Sequence, residues 1–464
     1  MMAVWSIVSS SKMNSDLRFE AEYFQPKYLD LENRLSVLDC NRIEDISTSI
    51  RSGPFGSNLL KINYVNDGII VLRPFNIKDA TVENDNLVHI SKEECEKNNL
   101  KLYKAGDLVF ARVGDIRCGI IPDYGRHVTI SPNIIAVQVD KKKINPYFLS
   151  IFMNTKLGLL QMERNIKVVA QPTITVETIK SILVPKISIN EQNIFAGMFE
   201  RSLQKRYESE ALYAEAEALL LRELGLDSLD LSPQIAHTAN FSEAMEARRL
   251  DAEYFQPKYY RVMDAIKALN PRQLVPLGDL LDKITNGHTP RHHDLSVGDI
   301  PFLTAEHVFD FRINFNSEKR ILTEHHEKEL KRTQLREGDI LITIKGRIGN
   351  AAIVEHLPGP TNINQDVALL RLKSGYNSYY VVAFLNSLAG KALIDQICTG
   401  QINPFLGLGN LSQISIPIFD QGLMDELGEK IRHKISQAYQ VKIDAELLLE
   451  EGKMRVEKII LNEV

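Results

Sequence analysis

Only a few residue groups in this chain have the types and spacing for covalent chemistry. Pro122-Asp123, followed by Asp140-Lys141-Lys142, places two acids and a lysine in loose nuclease order. Such a set would hold a divalent metal through Asp123 and Asp140, and Lys142 would stabilise charge developing on a phosphodiester. The acid pair is not repeated elsewhere in the chain, and Lys141–Lys143 reads more simply as a solvated turn. Asn145-Pro146-Tyr147-Phe148 approaches the [DN]PP[YF] loop used in adenine methyl transfer but lacks its second proline. An Asn helix cap with Pro in the first turn accounts for it. His292-His293 and His325-His326 are adjacent pairs, whereas a helical metal site wants histidines one turn apart. GxxxxGK[ST], GxSxG, HExxH and GxGxxG do not occur, and Gly390-Lys391 has neither the glycine lead nor the following Ser or Thr. The sequence therefore predicts no catalytic centre and no metal site, with the metal-dependent nuclease as one alternative and a scaffold that reads no DNA as another.

The four cysteines, Cys40, Cys95, Cys118 and Cys398, lie far apart, which suits a reducing compartment and argues against a disulfide framework or structural zinc. The opening MMAVWSIVSSSK lacks the basic start and long apolar core of a secretory signal. No apolar run approaches the roughly 20 residues that span a bilayer, so a cytoplasmic protein with no membrane partner is expected. The net charge of −5 counts against autonomous binding to a polyanion. Its distribution is uneven, because Asn190–Leu231 holds nine acidic and four basic residues and so carries the whole deficit. The remainder is neutral and free to form local basic loops.

The elements that would position functional residues are written twice. Ala21–Tyr28 reads AEYFQPKY, and Ala252–Tyr259 repeats it residue for residue at an offset of 231. At nearly the same offset GIIVLRPFNI from Gly68 matches DIPFLTAEHV from Asp299, and GDLVFARVG from Gly106 matches GDILITIKG from Gly338. NPYFLSIFMN from Asn145 matches NSYYVVAFLN from Asn377, and the stretch from Gln171 matches that from Asn403. A segment of about 230 residues is duplicated together with a trailing helix. The expected class is α/β (mixed α+β), with domains at 1–187 and 236–418 and spacer helices at 188–235 and 419–464. Ile194, Met198, Leu203, Tyr207, Leu212, Ala216, Leu219 and Leu220 recur near helical spacing in the first spacer. Leu423, Leu427, Ile431, Ile435, Ala438 and Leu448 do so in the second. Helices of roughly 30–40 residues, about 50 Å long, would overhang a small domain, so an antiparallel coiled pair with pseudo-twofold symmetry is predicted.

Two glycine-rich loops carry a family resemblance. Ile50-Arg51-Ser52-Gly53-Pro54-Phe55-Gly56-Ser57-Asn58 resembles the "GPFGS" loop of target-recognition domains in specificity subunits of type I restriction-modification systems. Ile284-Thr285-Asn286-Gly287-His288-Thr289-Pro290-Arg291 resembles the "GxTP" version of that loop. Gly298–Leu303, the Gly-Asp strand starts and the IxxP endings at Pro185 and Pro417 fit the same pattern, so the resemblance covers essentially the whole chain. It implies a non-catalytic reader of a bipartite double-stranded DNA site that serves phage defence. Two methylation subunits would dock on it and supply S-adenosylmethionine chemistry, and restriction subunits would join with ATP and Mg. The chain itself would carry no cofactor.

Arg pairs with guanine, Asn or Gln with adenine, and Ser or Thr with either. Candidate DNA contacts in the first domain are Arg51, Ser52, Ser57, Asn58, Arg73, Asn76, Arg112 and Arg117. In the second they are Thr285, Asn286, His288, Thr289, Arg291, Thr304, His307, Lys345 and Arg347. Arg73 stands opposite Thr304, Phe75 opposite Glu306 and Asn76 opposite His307, differences that two unlike half-sites would need. Gly53, Gly56 and Gly287 are expected to provide backbone shape. The identity of AEYFQPKY cannot encode two different sequences. Tyr23, Phe24, Tyr254 and Phe255 are therefore expected to bind something common to both halves, either the spacer helices or two copies of a partner.

Overall fold

The computed structural model describes residues 5–461 apart from 11, 14–18, 55–58, 60, 66, 85–86, 167–172, 291–293 and 401–403. The chain forms two compact units, Met1–Arg206 with Lys442–Val464, and Tyr207–Val441. Each mixes β-sheet and helix around its own apolar core.

In the first unit a six-stranded sheet runs in the order 47–52, 134–139, 108–111, 118–120, 80–82, 77–78. A four-stranded sheet joins Ile69–Leu72 in parallel to Val128–Ile130. In the second unit the order is 281–286, 367–372, 340–343, 351–353. There Ile300–Leu303 lies parallel to Asn362–Ile363. The Gly-Asp starts work alike in both: Asp107 accepts the Lys104 N–H at 3.1 Å and Asp339 the Arg336 N–H at 2.8 Å, closing the turn that launches a fully buried strand. Ala80 and Phe311, 231 positions apart, both take a left-handed φ of 61°, so even an unfavourable backbone state has been copied.

Each sheet packs on two short helices, Pro146–Met153 and Lys156–Arg164 in one unit, Ser378–Asn386 and Leu388–Ile397 in the other. Asn145 accepts the Tyr147 N–H and Asn377 those of Tyr379 and Tyr380, the helix cap expected in place of a catalytic loop. AEYFQPKY forms a single turn and the start of a helix in each copy, and docks on the second of these short helices. Lys27 pairs with Glu163 at 3.2 Å, and Lys258 with Asp395 at 3.3 Å. Arg164 covers the Tyr23 ring at 4.1 Å. Phe24 and Phe255 are buried, at 4% and 5% exposure, and are thus consumed by their own units; Tyr23 and Tyr254 remain half-buried. This corrects part of the partner-binding expectation, since only the tyrosines retain an accessible edge.

The long helices are Ile189–Glu223 and Gln421–Leu461, and each contributes to both units. In the first unit Ser202 Oγ donates to Ala445 O at 2.7 Å, with Lys205 paired to Asp444. In the second Ser209 Oγ donates to Ala438 O at 2.7 Å, and Lys434 pairs with Glu215. Within each unit the two helical segments therefore run antiparallel. Most of the predicted stripe is buried: Met198, Leu203, Ala216, Leu219 and Leu220 in the first helix, and Leu427, Ile431, Ile435 and Ala438 in the second. Ile194 (61%), Tyr207 (43%) and Leu423 (40%) are exposed instead. Phe195, Phe199, Ser202, Ser209 and Ala445, which the stripe did not include, are buried as well.

Candidate nucleic-acid interface

In both units several loops meet at one end of the central strands, and the register shows why. Ser52, at the end of its strand, pairs with Ile135, while Ala111, at the end of the next, pairs with Ile134. Asn286 pairs with Ala368 and Thr343 with Val367. The parallel pairs end there too: Ser131 N donates to Leu72 O, and Asn364 N to Leu303 O, both near 2.8–2.9 Å. The loops after Ser52, Leu72 and Ala111 thus converge on 131–133, and those after Asn286, Leu303 and Thr343 converge on 364–366.

The glycines of the two signature loops make this convergence possible. A Cβ on Gly53 would lie 2.0 Å from Ser131 O, and one on Gly287 would lie 1.8 Å from Ile363 O. Only glycine lets the strand end cross its neighbour so closely. The expectation of a shape role for Gly53 and Gly287 agrees with this geometry, whereas Gly56 lies outside the described residues.

Among the first unit's candidates, Arg51 and Ser52 are exposed on the strand end and Arg112 is half-buried at the neighbouring one. Arg117 leans on Asp115 at 3.3 Å and keeps a 34% exposed side chain. Ser57 and Asn58 lie outside the described residues. Asn76 does not belong on the face: it is fully buried, and its Oδ1 accepts the Arg73 N–H at 3.0 Å.

The second unit's candidates are tied together more densely. Asn286 Nδ2 donates to Gln365 O at 3.3 Å, and Thr289 Oγ1 to Gln365 Oε1 at 2.8 Å. His288 Nε2 and His325 Nδ1 each lie 2.9 Å from a carboxylate oxygen of Glu329, on a short π-helical turn at His325–Glu329. The bond to His288, with a second from His325, holds the Glu329 carboxyl below its ordinary range. Half-buried Thr285 lies next to this strand end, paired with Leu369. Lys345 is 50% exposed, 3.9 Å from Asp366. The Arg347 and Arg312 guanidinium groups both stack on Phe309, at 4.6 and 4.5 Å. Arg291 lies outside the described residues. Thr304, at 6% exposure, is withdrawn from the face like Asn76. The His307 ring accepts the Thr304 N–H through Nδ1 at 3.1 Å, and burial holds its pKa below the ordinary value. The contrasts Arg73/Thr304 and Asn76/His307 are two ways of closing one turn, with two different side-chain acceptors.

Sequence reasoning missed Gln365, Asn364 and Asp366. They sit between strands with no turn glycine among them, and only the parallel pairing reveals their position. The nuclease alternative finds no support. Asp123 accepts the Gly125 N–H and Asp140 the Lys142 N–H, each closing its own turn. Among the described residues no group of three or more His, Cys, Asp or Glu could hold a metal ion. Nor is any described helix long and apolar enough to cross a membrane.

Comparison with known proteins bears on the second copy of the loops. Residues 272–421 match the family model for the type I restriction modification DNA specificity domain. The type I restriction enzyme EcoBI specificity subunit of Escherichia coli is 29% identical over 130 residues, 28% of this chain and 27% of that protein, so the match spans only about a quarter of the relative. Solved structures also align: the HsdS subunit from Thermoanaerobacter tengcongensis at 13% identity and TM-score 0.30, over 92% of this chain and 97% of that one. The S subunit of a type I system from M. genitalium aligns at 12% identity and TM-score 0.39, over 89% and 95%. Residues 272–421 are thus similar to the type I restriction modification DNA specificity domain, and the chain that carries them is similar to specificity subunits of those systems.

Proposed function

We propose that this chain reads a bipartite double-stranded DNA site, one half with each unit, and directs adenine methylation and restriction carried out by partner subunits. One observation carries the reading: two copies of one framework bring equivalent loops together and fill them with different side chains. Arg51, Ser52 and Arg112 stand at the first convergence, and Asn286, His288, Thr289 and Lys345 at the second. Groups of this kind pair with base edges, while neighbouring cations take phosphate. The chain contributes no catalysis of its own. Methylation subunits would bring S-adenosylmethionine, and restriction subunits ATP and Mg. With a net charge of −5, tight binding would depend on those partners.

The test is the adenine methylome of the source cell with and without this gene. Disappearance of methylation at one split motif is the expected result and gives both half-sites at once. A methylome identical in the two strains, in a cell shown to express the chain and its partners, would overturn the proposal.

A further inference from the structure

We propose that Gln365 reads an adenine in the half-site of the second unit and that Thr289 positions it. This rests on the DNA reading proposed above and adds one named contact to it.

Gln365 sits in the middle of the second convergence, half-buried, between the strands Asn362–Ile363 and Val367–Leu372. It is held from two sides. Its backbone carbonyl accepts from Asn286 at 3.3 Å, and its side-chain Oε1 accepts from the Thr289 hydroxyl at 2.8 Å. Both donors arrive on the loop that Gly287 allows to cross Ile363. The amide Nε2 has no hydrogen-bond partner among the described residues.

A glutamine amide offers two lone pairs on oxygen and two donors on nitrogen. Thr289 occupies one lone pair and fixes the plane of the amide. What remains is one acceptor beside a free NH2 group. Adenine presents the complementary pair in the major groove, N6–H2 as donor beside N7 as acceptor. Guanine offers two acceptors there, so Oε1 would oppose O6. Cytosine offers a donor with no acceptor beside it, and thymine an acceptor beside a methyl group. Adenine alone uses both open positions of the anchored amide. Anchoring also removes much of the rotamer freedom that a long side chain would otherwise lose on binding.

The first unit has no counterpart. There Ser131 stands at the place of Asn364 and Asn133 at that of Asp366, so the place of Gln365 falls to Pro132, which has no side-chain amide. The contact is therefore a property of one half-site.

The experiment is selection from a random-sequence duplex library by the full chain together with the subunits that co-purify with it. Wild type should enrich two half-sites, one with a fixed adenine. Gln365→Ala should relax that one position by about tenfold or more and leave every other position unchanged. Thr289→Val should weaken the same position, and Thr289→Ser, which keeps the hydroxyl, should restore it. Gln365→Glu retains the bond from Thr289 but replaces the donor with an acceptor, so preference there should move from adenine toward cytosine; this variant decides the matter if the alanine protein does not fold. An unchanged motif in Gln365→Ala, relaxation at a base other than adenine, or adenine retained in Gln365→Glu would overturn this contact alone. Enrichment of no sequence by wild type would overturn the DNA reading and the contact with it.

Discussion

Asn76 and His307 occupy the same place in the two copies and cap the same turn, yet only one of them can take up a proton near neutrality. Burial lowers the His307 pKa from its ordinary 6.5, so the folded state disfavours the imidazolium. The folded protein then binds fewer protons than the unfolded chain. His307 withdraws no stability above pH 6.5 and withdraws it progressively as pH falls toward the lowered folded value. His307→Asn installs the residue the first unit already uses and removes this proton. Chemical denaturation between pH 7.5 and 5 should show a smaller loss of midpoint for this variant than for wild type. At Gly287 the demand is steric. Gly287→Ala places a Cβ against Ile363 O and should destabilise the second unit by about 1–3 kcal/mol, read as a lower denaturation midpoint. Residue types pointed to part of the candidate site: Gly53, Gly287, Arg51, Lys345 and the His288-Thr289 pair, all named from sequence, lie where the loops converge. Asn76 and Thr304 were not separable from reading residues, because the polar groups that suit a base edge also suit a backbone turn.

Two helices of 35 and 41 residues were predictable from length and periodicity, and so was most of their buried face, from Met198 to Leu220 in one and Leu427 to Ala438 in the other. Apolar spacing also pointed to Ile194, Tyr207 and Leu423, which are exposed. It passed over Ser202 and Ser209, seven residues apart, which meet Ala445 and Ala438, also seven apart. A serine carries little hydropathy signal, so its place in a close-packed seam is nearly silent in sequence. Each serine hydroxyl bonds a carbonyl across the seam, and Ser202→Ala should cost about 1 kcal/mol. Ala445→Leu forces bulk into a position with no exposed surface and should cost about 1–3 kcal/mol. Thermal unfolding of the two variants would rank them in that order. Strands were legible where Gly-Asp turns launched them, whereas the parallel pairing of distant segments left no local mark.

At the scale of the molecule, duplication repeats a surface feature as well as a fold. Phe19 and Leu250 lie 231 positions apart, each just before AEYFQPKY, and are 71% and 82% exposed. Half-buried Tyr23 and Tyr254 follow each at the same distance in sequence. On the function proposed above, these repeated positions would take two copies of one partner: Phe19→Asp should then remove one copy, and Phe19→Asp with Leu250→Asp both, as read from the mass of the purified complex. The first unit, in turn, is not finished by its own stretch of sequence. Leu449, Val456 and Ile460 belong to its apolar core, together with Phe148, Phe195 and Phe199. Deleting residues 442–464 should leave 1–206 open to limited proteolysis while the second unit, which draws on none of them, resists. The same feature sets an order in time. A ribosome that has completed Arg206 must add 235 more residues before Lys442 exists, roughly 10–50 s of synthesis at ordinary rates. Through that interval the nascent first unit carries an uncovered apolar stripe; the second is complete once Val441 is added, while the first still waits for 442–464, so the part translated first is the part that matures last.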